Sequence, residues 1–248
     1  MTESQTAVRP ERRAELAAGL ARVRARIADA CAAAGRQRDE VTLVAVTKTY
    51  PAADVVALAG LGVTDVGENR DQEAAPKAEA VADAGASPRW HFIGQLQRNK
   101  ARSVVRYADV VQSVDSVRLA AALDAAAGAV RDRPLDVLVQ VSIDGDPARG
   151  GALPGVADPQ RGLDPVAAAV AGADGLRLAG LMAVAPLGWE PDRAFARLAE
   201  VAAALRADHP GATVLSAGMS GDLESAVGHG ATHVRVGSAL LGMRPALR

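Results

Sequence analysis

The chain has 248 residues, 49% of them hydrophobic and 23% charged, with a formal net charge of −1. That length and apolar content suit one soluble domain with a sizeable core, and the near-zero charge argues against nucleic acid as a partner. No apolar run reaches the roughly 18 residues of a membrane span, and the single cysteine, Cys31, excludes an intramolecular disulfide and a cysteine-based zinc cluster.

The first residues, MTESQTAVRPERRAEL, contain no apolar signal core, so a cytoplasmic protein is expected. Residues 10–34 read as a long amphipathic helix. Pro10 suits its first turn, Leu16, Leu20, Val23, Ile27 and Cys31 recur three or four apart, and Gly35 suits its stop. The pattern then changes to short β-branched runs at 41–46, 63–67, 90–94, 109–114, 135–141, 177–182, 213–218 and 233–237. Ala-rich helical stretches lie between them, among them 52–62, 116–128, 164–173 and 191–208. Strands alternating with helices imply parallel pairing through right-handed crossovers. Eight such units in about 210 residues predict a (β/α)8 TIM-type barrel with an extra N-terminal helix. The domain reading is one unit over 1–248, with the helix at 10–34 and the barrel at 41–248. An open doubly wound sheet would carry a Gly-rich turn after its first strand. Here that turn is Thr47-Lys48-Thr49-Tyr50-Pro51. Residues 142–164, rich in Gly, Pro and Asp, read as a long loop after the fifth strand.

A barrel carries its chemistry at the C-terminal ends of its strands. Polar residues collect there, in Thr47-Lys48-Thr49, Gly67-Glu68-Asn69-Arg70, the 94–100 segment, Ser216 to Asp222 and Arg235 to Ser238. After strands seven and eight, small-residue turns open short helices, with Ser220 or Gly221 as expected cap of the first and Gly237 and Ser238 opening the second. Two such turns side by side favour a phosphate. The six aromatic residues leave little material for base stacking. Only Lys48, Lys77 and Lys100 are lysine among 28 basic residues. A lysine that persists is a candidate for amine chemistry that arginine cannot supply. Lys48, emerging from an apolar strand, is the one placed across the mouth from the phosphate turns, and partial desolvation would favour its free amine. Lys77 and Lys100 are read as solvated, and His91 as a structural strand-end histidine. An aldehyde at one end and a phosphate at the other would satisfy both features, and pyridoxal 5′-phosphate (PLP) is such a ligand. No P-loop, dinucleotide fingerprint, zinc-protease motif or nucleophile elbow is present, and the histidines show no metal spacing.

The segments VAVTKTYP, DVGENRDQE, WHFIGQLQRNK, GLMAVAP, LSAGMSGDLESAV and HVRVGSALLG run in order over nearly the whole chain. They resemble the signature segments of the pyridoxal phosphate homeostasis protein family, single-domain barrels similar to the N-terminal domain of alanine racemase. The resemblance implies that Lys48 forms the internal aldimine and that Asn69 lies near the cofactor ring and its 3-hydroxyl. It implies that Ser220, Gly237 and Ser238 bind the phosphate, with backbone contacts from Met219, and that Arg235 faces the pyridine nitrogen. A permanent cation there disfavours protonation of that nitrogen and weakens the ring as an electron sink. The chain departs from the pattern at Ala217, where Met is frequent, and at Arg149, where a lysine is expected; Ser238 stands where Thr is also common.

The implied function is a PLP carrier or regulator that holds the cofactor on Lys48 and passes it to apo-enzymes. It would have no catalytic residues and no metal, and would be a monomer or weak homodimer without nucleic-acid or membrane partners. An amino-acid racemase is the alternative, and a sugar-phosphate barrel enzyme with Lys48 as Schiff-base residue is a third. Racemisation needs acid/base groups on both faces of the bound substrate. The similar racemases take a tyrosine from a second domain for the other face. Here Tyr50 and Tyr107 are the only tyrosines, and the length leaves no room for that domain, so the carrier ranks first.

Overall fold

A computed structural model describes residues 8–146 and 148–242. The expected span 1–248 therefore includes residues 1–7, 147 and 243–248, which lie outside the described residues. Helix α1 (Pro10–Ala33) carries Pro10 at its first position and buries Leu16, Leu20, Val23, Ile27 and Cys31. It ends as the sequence predicts. Gly35 adopts φ 66°, and the Arg36 N–H donates back to the Cys31 carbonyl at 2.8 Å, closing a left-handed C-cap.

Eight parallel strands follow and close into a barrel in sequence order. They are β1 (Thr42–Val46), β2 (Asp65–Glu68), β3 (Arg89–Phe92), β4 (Val110–Val114), β5 (Leu135–Gln140), β6 (Leu176–Met182), β7 (Val214–Ser216) and β8 (His233–Val236). Closure is made where Val44 of β1 stands opposite both Asp65 of β2 and Arg235 of β8. The helices α2 (Ala52–Gly60), α3 (Asp71–Asp83), α4 (Ala101–Tyr107), α5 (Val117–Gly128), α6 (Leu163–Ala171), α7 (Pro191–Asp208), α8 (Leu223–Gly228) and α9 (Ser238–Leu241) alternate with the strands. None of the described helices is long and apolar enough to cross a membrane. Each predicted strand is present with ends shifted by a few residues. Residues 142–164 are less irregular than expected, because one isolated bridge, Val141–Ala152, ties the loop to the residue following β5 and another, Leu153–Gly162, closes the loop on itself.

Strand alternation divides the side chains into two sets. Leu43, Val66, Trp90, Val234 and Val236 pack outward with helical residues such as Leu20, Ile27 and Leu58, as do Phe92, Val111 and Leu215 on the other flank with residues such as Leu123 and Leu198. The intervening positions face the barrel axis. Val110, Leu138, Ala179 and Met182 make a small apolar plug there. The rest of the interior is unusually polar for a barrel whose interior is commonly Val, Ile and Leu. His91, Gln112, Ser216 and Arg235 are all buried.

At the N-terminal end of this interior, burial first, and then the neighbouring His91, push the His233 imidazole from 6.5 down to about 4. The folded chain thus binds fewer protons at His233 than the unfolded chain between about pH 4 and 6.5, so acid removes stability across that window. We expect the loss of Tm from pH 6.5 to 4 to be shallower in His233→Gln than in the unmodified protein. Superimposable acid limbs would contradict this assignment.

Candidate functional site

The chain leaves β1 into a tight turn. The Tyr50 N–H donates to the Thr47 carbonyl at 3.0 Å, and Thr49 has φ 66°, the only non-glycine residue with positive φ among the described residues. A positive φ at the third position is what a type II turn requires, and a β-branched residue there is strained. Strain of this kind persists only where the surroundings over-determine it. Here the surroundings are explicit. The carbonyl of Thr47 also accepts from Lys77 Nζ at 3.0 Å, and the Thr47 hydroxyl donates to Glu68 Oε1 at 2.7 Å. Lys77 Nζ donates to that same oxygen at 2.7 Å. Lys77 is therefore buried, with 8% of its side chain exposed against 0% for Glu68. The expectation of a solvated Lys77 is corrected: its ammonium neutralises a buried carboxylate beneath the turn that presents Lys48. Glu68 pairs with this lysine. Lys100, by contrast, is partly exposed and 3.8 Å from Asp71.

Lys48 lines a cavity of about 520 Å³ at the C-terminal mouth of the barrel, together with Met219, Ser220, Arg235, Gly237 and Ser238. Six of the seven predicted binding residues thus share one cavity. Asn69 is the exception. It follows β2 and lines a separate cavity of about 200 Å³ with Gln95 and Lys100. Its Oδ1 is buried without a hydrogen-bond donor. A Cβ on Gly94 would lie 2.1 Å from the Asn69 carbonyl, so only glycine lets the two chains approach there. Val46, Tyr50, Ile93, Gly221 and Gly242 also line the main cavity. Two among them carried a sequence signal, Gly221 in the small-residue turn after β7 and Tyr50 two residues beyond Lys48. The Tyr50 hydroxyl donates to the Gly242 carbonyl at 2.7 Å, and the Arg12 guanidinium lies 5.6 Å from its ring centre.

The turns after β7 and β8 meet as expected, with Ser238 Oγ 3.3 Å from Ser220 Oγ. The Ala239 N–H points at the same Ser220 oxygen at 3.4 Å. The expected cap is corrected. Helix α8 begins after Asp222, not after Ser220 or Gly221, and Asp222 Oδ1 accepts the Met219 N–H at 2.6 Å. That carboxylate takes the Met219 N–H and leaves both serine hydroxyls facing the cavity. Gly218 has φ +88°, and a Cβ there would sit 2.6 Å from that of Ala226, so the sharp entry into this turn needs glycine. Helix α1 braces the turn from outside, because Arg26 donates to the Ser220 carbonyl at 3.0 Å and pairs with Glu224 at 2.6 Å.

Arg235 enters the cavity from the barrel axis. Its Nη2 donates to the Ala183 carbonyl at 2.8 Å and its Nη1 to Ser216 Oγ at 2.7 Å. Burial pushes its guanidinium down to about 10, which leaves it cationic at neutral pH. Because arginine only donates, the Ser216 hydroxyl must turn its proton to Gln112 Oε1, 2.7 Å away. The Gln112 amide then donates to His91 Nδ1 at 2.8 Å, and His91 Nε2 carries the proton facing Asp65 Oδ1 at 2.8 Å. Burial raises the Asp65 carboxyl, but its hydrogen bonds with His91 and Thr64 outweigh that and hold it below the ordinary value. His91 is thus structural, inside the barrel and not at its mouth. The polar positions that build this chain were visible in the sequence as polar residues inside otherwise apolar strands.

Tyr107 sits elsewhere, edge-on to Trp90 with ring centres 6.5 Å apart. Arg149 pairs with Asp144 at 2.9 Å and donates to the Val184 carbonyl at 3.2 Å. No residue of the 142–164 loop lines the main cavity among the described residues. The described residues hold no cluster of three or more metal-ligating side chains.

A closed parallel barrel with its polar mouth after β1, β7 and β8 defines the class of the alanine racemase N-terminal domain, whose family model matches residues 19–245. The chain is 47% identical over 247 residues to the pyridoxal phosphate homeostasis protein of Mycobacterium leprae, covering 94% of each. It is 48% identical over 251 residues to that of Mycobacterium tuberculosis, covering 95% of each. The solved structure of PipY from Synechococcus elongatus, with PLP bound, superposes with a TM-score of 0.75 at 34% identity, covering 92% of this chain and 100% of that one. The chain belongs to the pyridoxal phosphate homeostasis protein family.

Proposed function

We propose that this protein binds PLP covalently through Lys48 Nζ and serves as a one-domain carrier and regulator of the cofactor, delivering it to apo-enzymes in the cytoplasm. The observation that carries the reading is the convergence of Lys48, Ser220, Ser238 and Arg235 on one cavity of about 520 Å³, a size within the usual range for cofactor sites. PLP, when bound, supplies an aldehyde that condenses reversibly with an amine and a phosphate that anchors it.

The residues present fit that group. Lys48 provides the amine on a turn held rigid by Thr47, Glu68 and Lys77. Ser220 and Ser238 provide paired hydroxyls for phosphate oxygens, with Gly237 and Met219 at the adjoining backbone. Asn69, whose buried Oδ1 lacks a donor, lines the neighbouring cavity, and its assignment to the ring hydroxyl rests on the family motif. Arg235 holds a permanent positive charge against the site and keeps a proton off a nitrogen facing it, which restrains carbanion chemistry.

Two observations favour carrier over racemase. Curated relatives are named for homeostasis, and neither tyrosine is set as a second acid or base. The Tyr50 hydroxyl is committed to the Gly242 carbonyl, and Tyr107 faces Asp71. The carrier needs no second subunit for its site and is proposed to be a monomer or weak homodimer.

The double variant Ser220→Ala/Ser238→Ala tests the phosphate cradle. We expect at least tenfold faster loss of PLP on dialysis, read by the visible absorbance, with unchanged circular dichroism. Retention equal to that of the unmodified protein would refute the cradle. Racemisation of any amino acid at ordinary enzyme rates would overturn the carrier reading.

A further inference from the structure

A second cavity, of about 630 Å³, lies at the opposite, N-terminal end of the barrel. Arg89 opens β3, Asp109 directly precedes β4, and Asp136 and Arg177 lie at the starts of β5 and β6. Arg131 and Arg133 join them from the connection between α5 and β5, and all six residues line the cavity.

The charges here do not balance. Asp136 is shared by two guanidiniums, with Arg177 Nε and Nη2 each at 2.6 Å and Arg89 Nη2 on the same carboxylate. Asp109 accepts Arg133 at 3.1 Å through one oxygen and the Trp90 N–H at 3.0 Å through the other. Arg131 has no carboxylate partner among the described residues: its Nη1 donates to the carbonyls of Val105 and Ala108 at 2.8 and 2.9 Å. Its Nε–H is buried with no acceptor. Four guanidiniums thus face two carboxylates, which leaves two positive charges and one buried donor unmatched.

A buried donor in a network serving stability alone is expected to find an acceptor, and water compensates exposed guanidiniums but does not favour their gathering around two carboxylates. A dianion would complete this one. Guanidinium forks match the paired oxygens of phosphate, and the side chains of Arg133 and Arg177, 77% and 64% exposed, reach solvent and can admit a ligand. We propose that the N-terminal mouth is a second binding site, for a small phosphate-bearing anion, separate from the Lys48 cavity and independent of what that cavity holds.

The test is calorimetric titration of the cofactor-loaded protein, at constant ionic strength, with inorganic phosphate, pyrophosphate and glycerol phosphate in separate arms. Constant ionic strength matters because exposed charges are screened by salt. The expected result is saturable binding in at least one arm, and the three arms separate a free phosphate from an ester. Arg133→Ala/Arg177→Ala should weaken it at least tenfold; Arg89 still pairs with Asp136 in that variant. Arg133→Ala alone, at a largely exposed position, should weaken it about threefold and guards against misfolding of the double variant. Ser220→Ala/Ser238→Ala should leave the affinity unchanged. The proposal is overturned if no arm binds, if both arginine variants bind as tightly as the unmodified protein, or if the serine variant abolishes binding. The PLP reading stands or falls on the visible absorbance, a different signal.

Discussion

Lys77→Met should lower the unfolding free energy by about 3–5 kcal/mol, the usual cost of stranding one member of a buried ion pair. For a chain of this size that corresponds to a fall in Tm of roughly 10 °C. Glu68 is completely buried and its Oε2 already lacks a partner, so removing the ammonium leaves its charge uncompensated. The same substitution deletes the hydrogen bond to the Thr47 carbonyl and loosens the strained turn that carries Lys48. Glu68→Gln/Lys77→Met should recover much of the loss, because it removes both charges while keeping an acceptor for the Thr47 hydroxyl. Thermal unfolding of the unmodified protein, Lys77→Met, Glu68→Gln and the double variant checks this. A Lys77→Met variant as stable as the unmodified protein, or a double variant with strictly additive losses, would show that the pair is not coupled.

Lys48→Ala should abolish covalent PLP attachment altogether, with the visible absorbance band reduced to background, while the fold stays intact. Lys48 lines the cavity at the end of a turn and carries none of the barrel's core packing, so its removal costs attachment rather than stability. Lys48→Arg should fail as completely as Lys48→Ala. It keeps the charge but has no amine that can lose a proton and attack an aldehyde. Phosphate contacts at Ser220 and Ser238 would still allow weak, reversible binding in either variant. A Lys48→Arg protein that retained the full absorbance would remove Lys48 from its proposed role.

Much of the barrel was legible because most strands carry apolar, often β-branched residues at alternate positions and are bounded by turn residues. TLVAV and HVRV, for instance, can pack their outer faces only against helices. The cavity was legible for a topological reason: the ends of β1, β7 and β8 are brought together by closure, so Lys48, Ser220 and Ser238 meet although they are far apart in sequence. Three features were not read. Lys77 lies on the same stripe of α3 as the buried Ala74, Ala78 and Val81; its helical phase marked it as inward, but its charge suggested solvent. The run Asp65, His91, Gln112, Ser216 and Arg235 depends on registers between five strands, which no single strand encodes. Helix α1 was read as an addition to the barrel, yet Arg12 ties it to α2 and the end of α9, and Arg26 to the turn after β7. Arg12 pairs with Asp54 at 2.7 Å and donates to the Leu241 carbonyl at 3.1 Å.

The most direct measurement of the central claim is borohydride reduction of the PLP-loaded protein, followed by peptide mass spectrometry. One pyridoxyl group per chain is expected, carried on Lys48 within the peptide that contains Val46 and Tyr50. A pyridoxyl group found instead on Lys77 or Lys100, or an unmodified Lys48 in fully loaded protein, would contradict it.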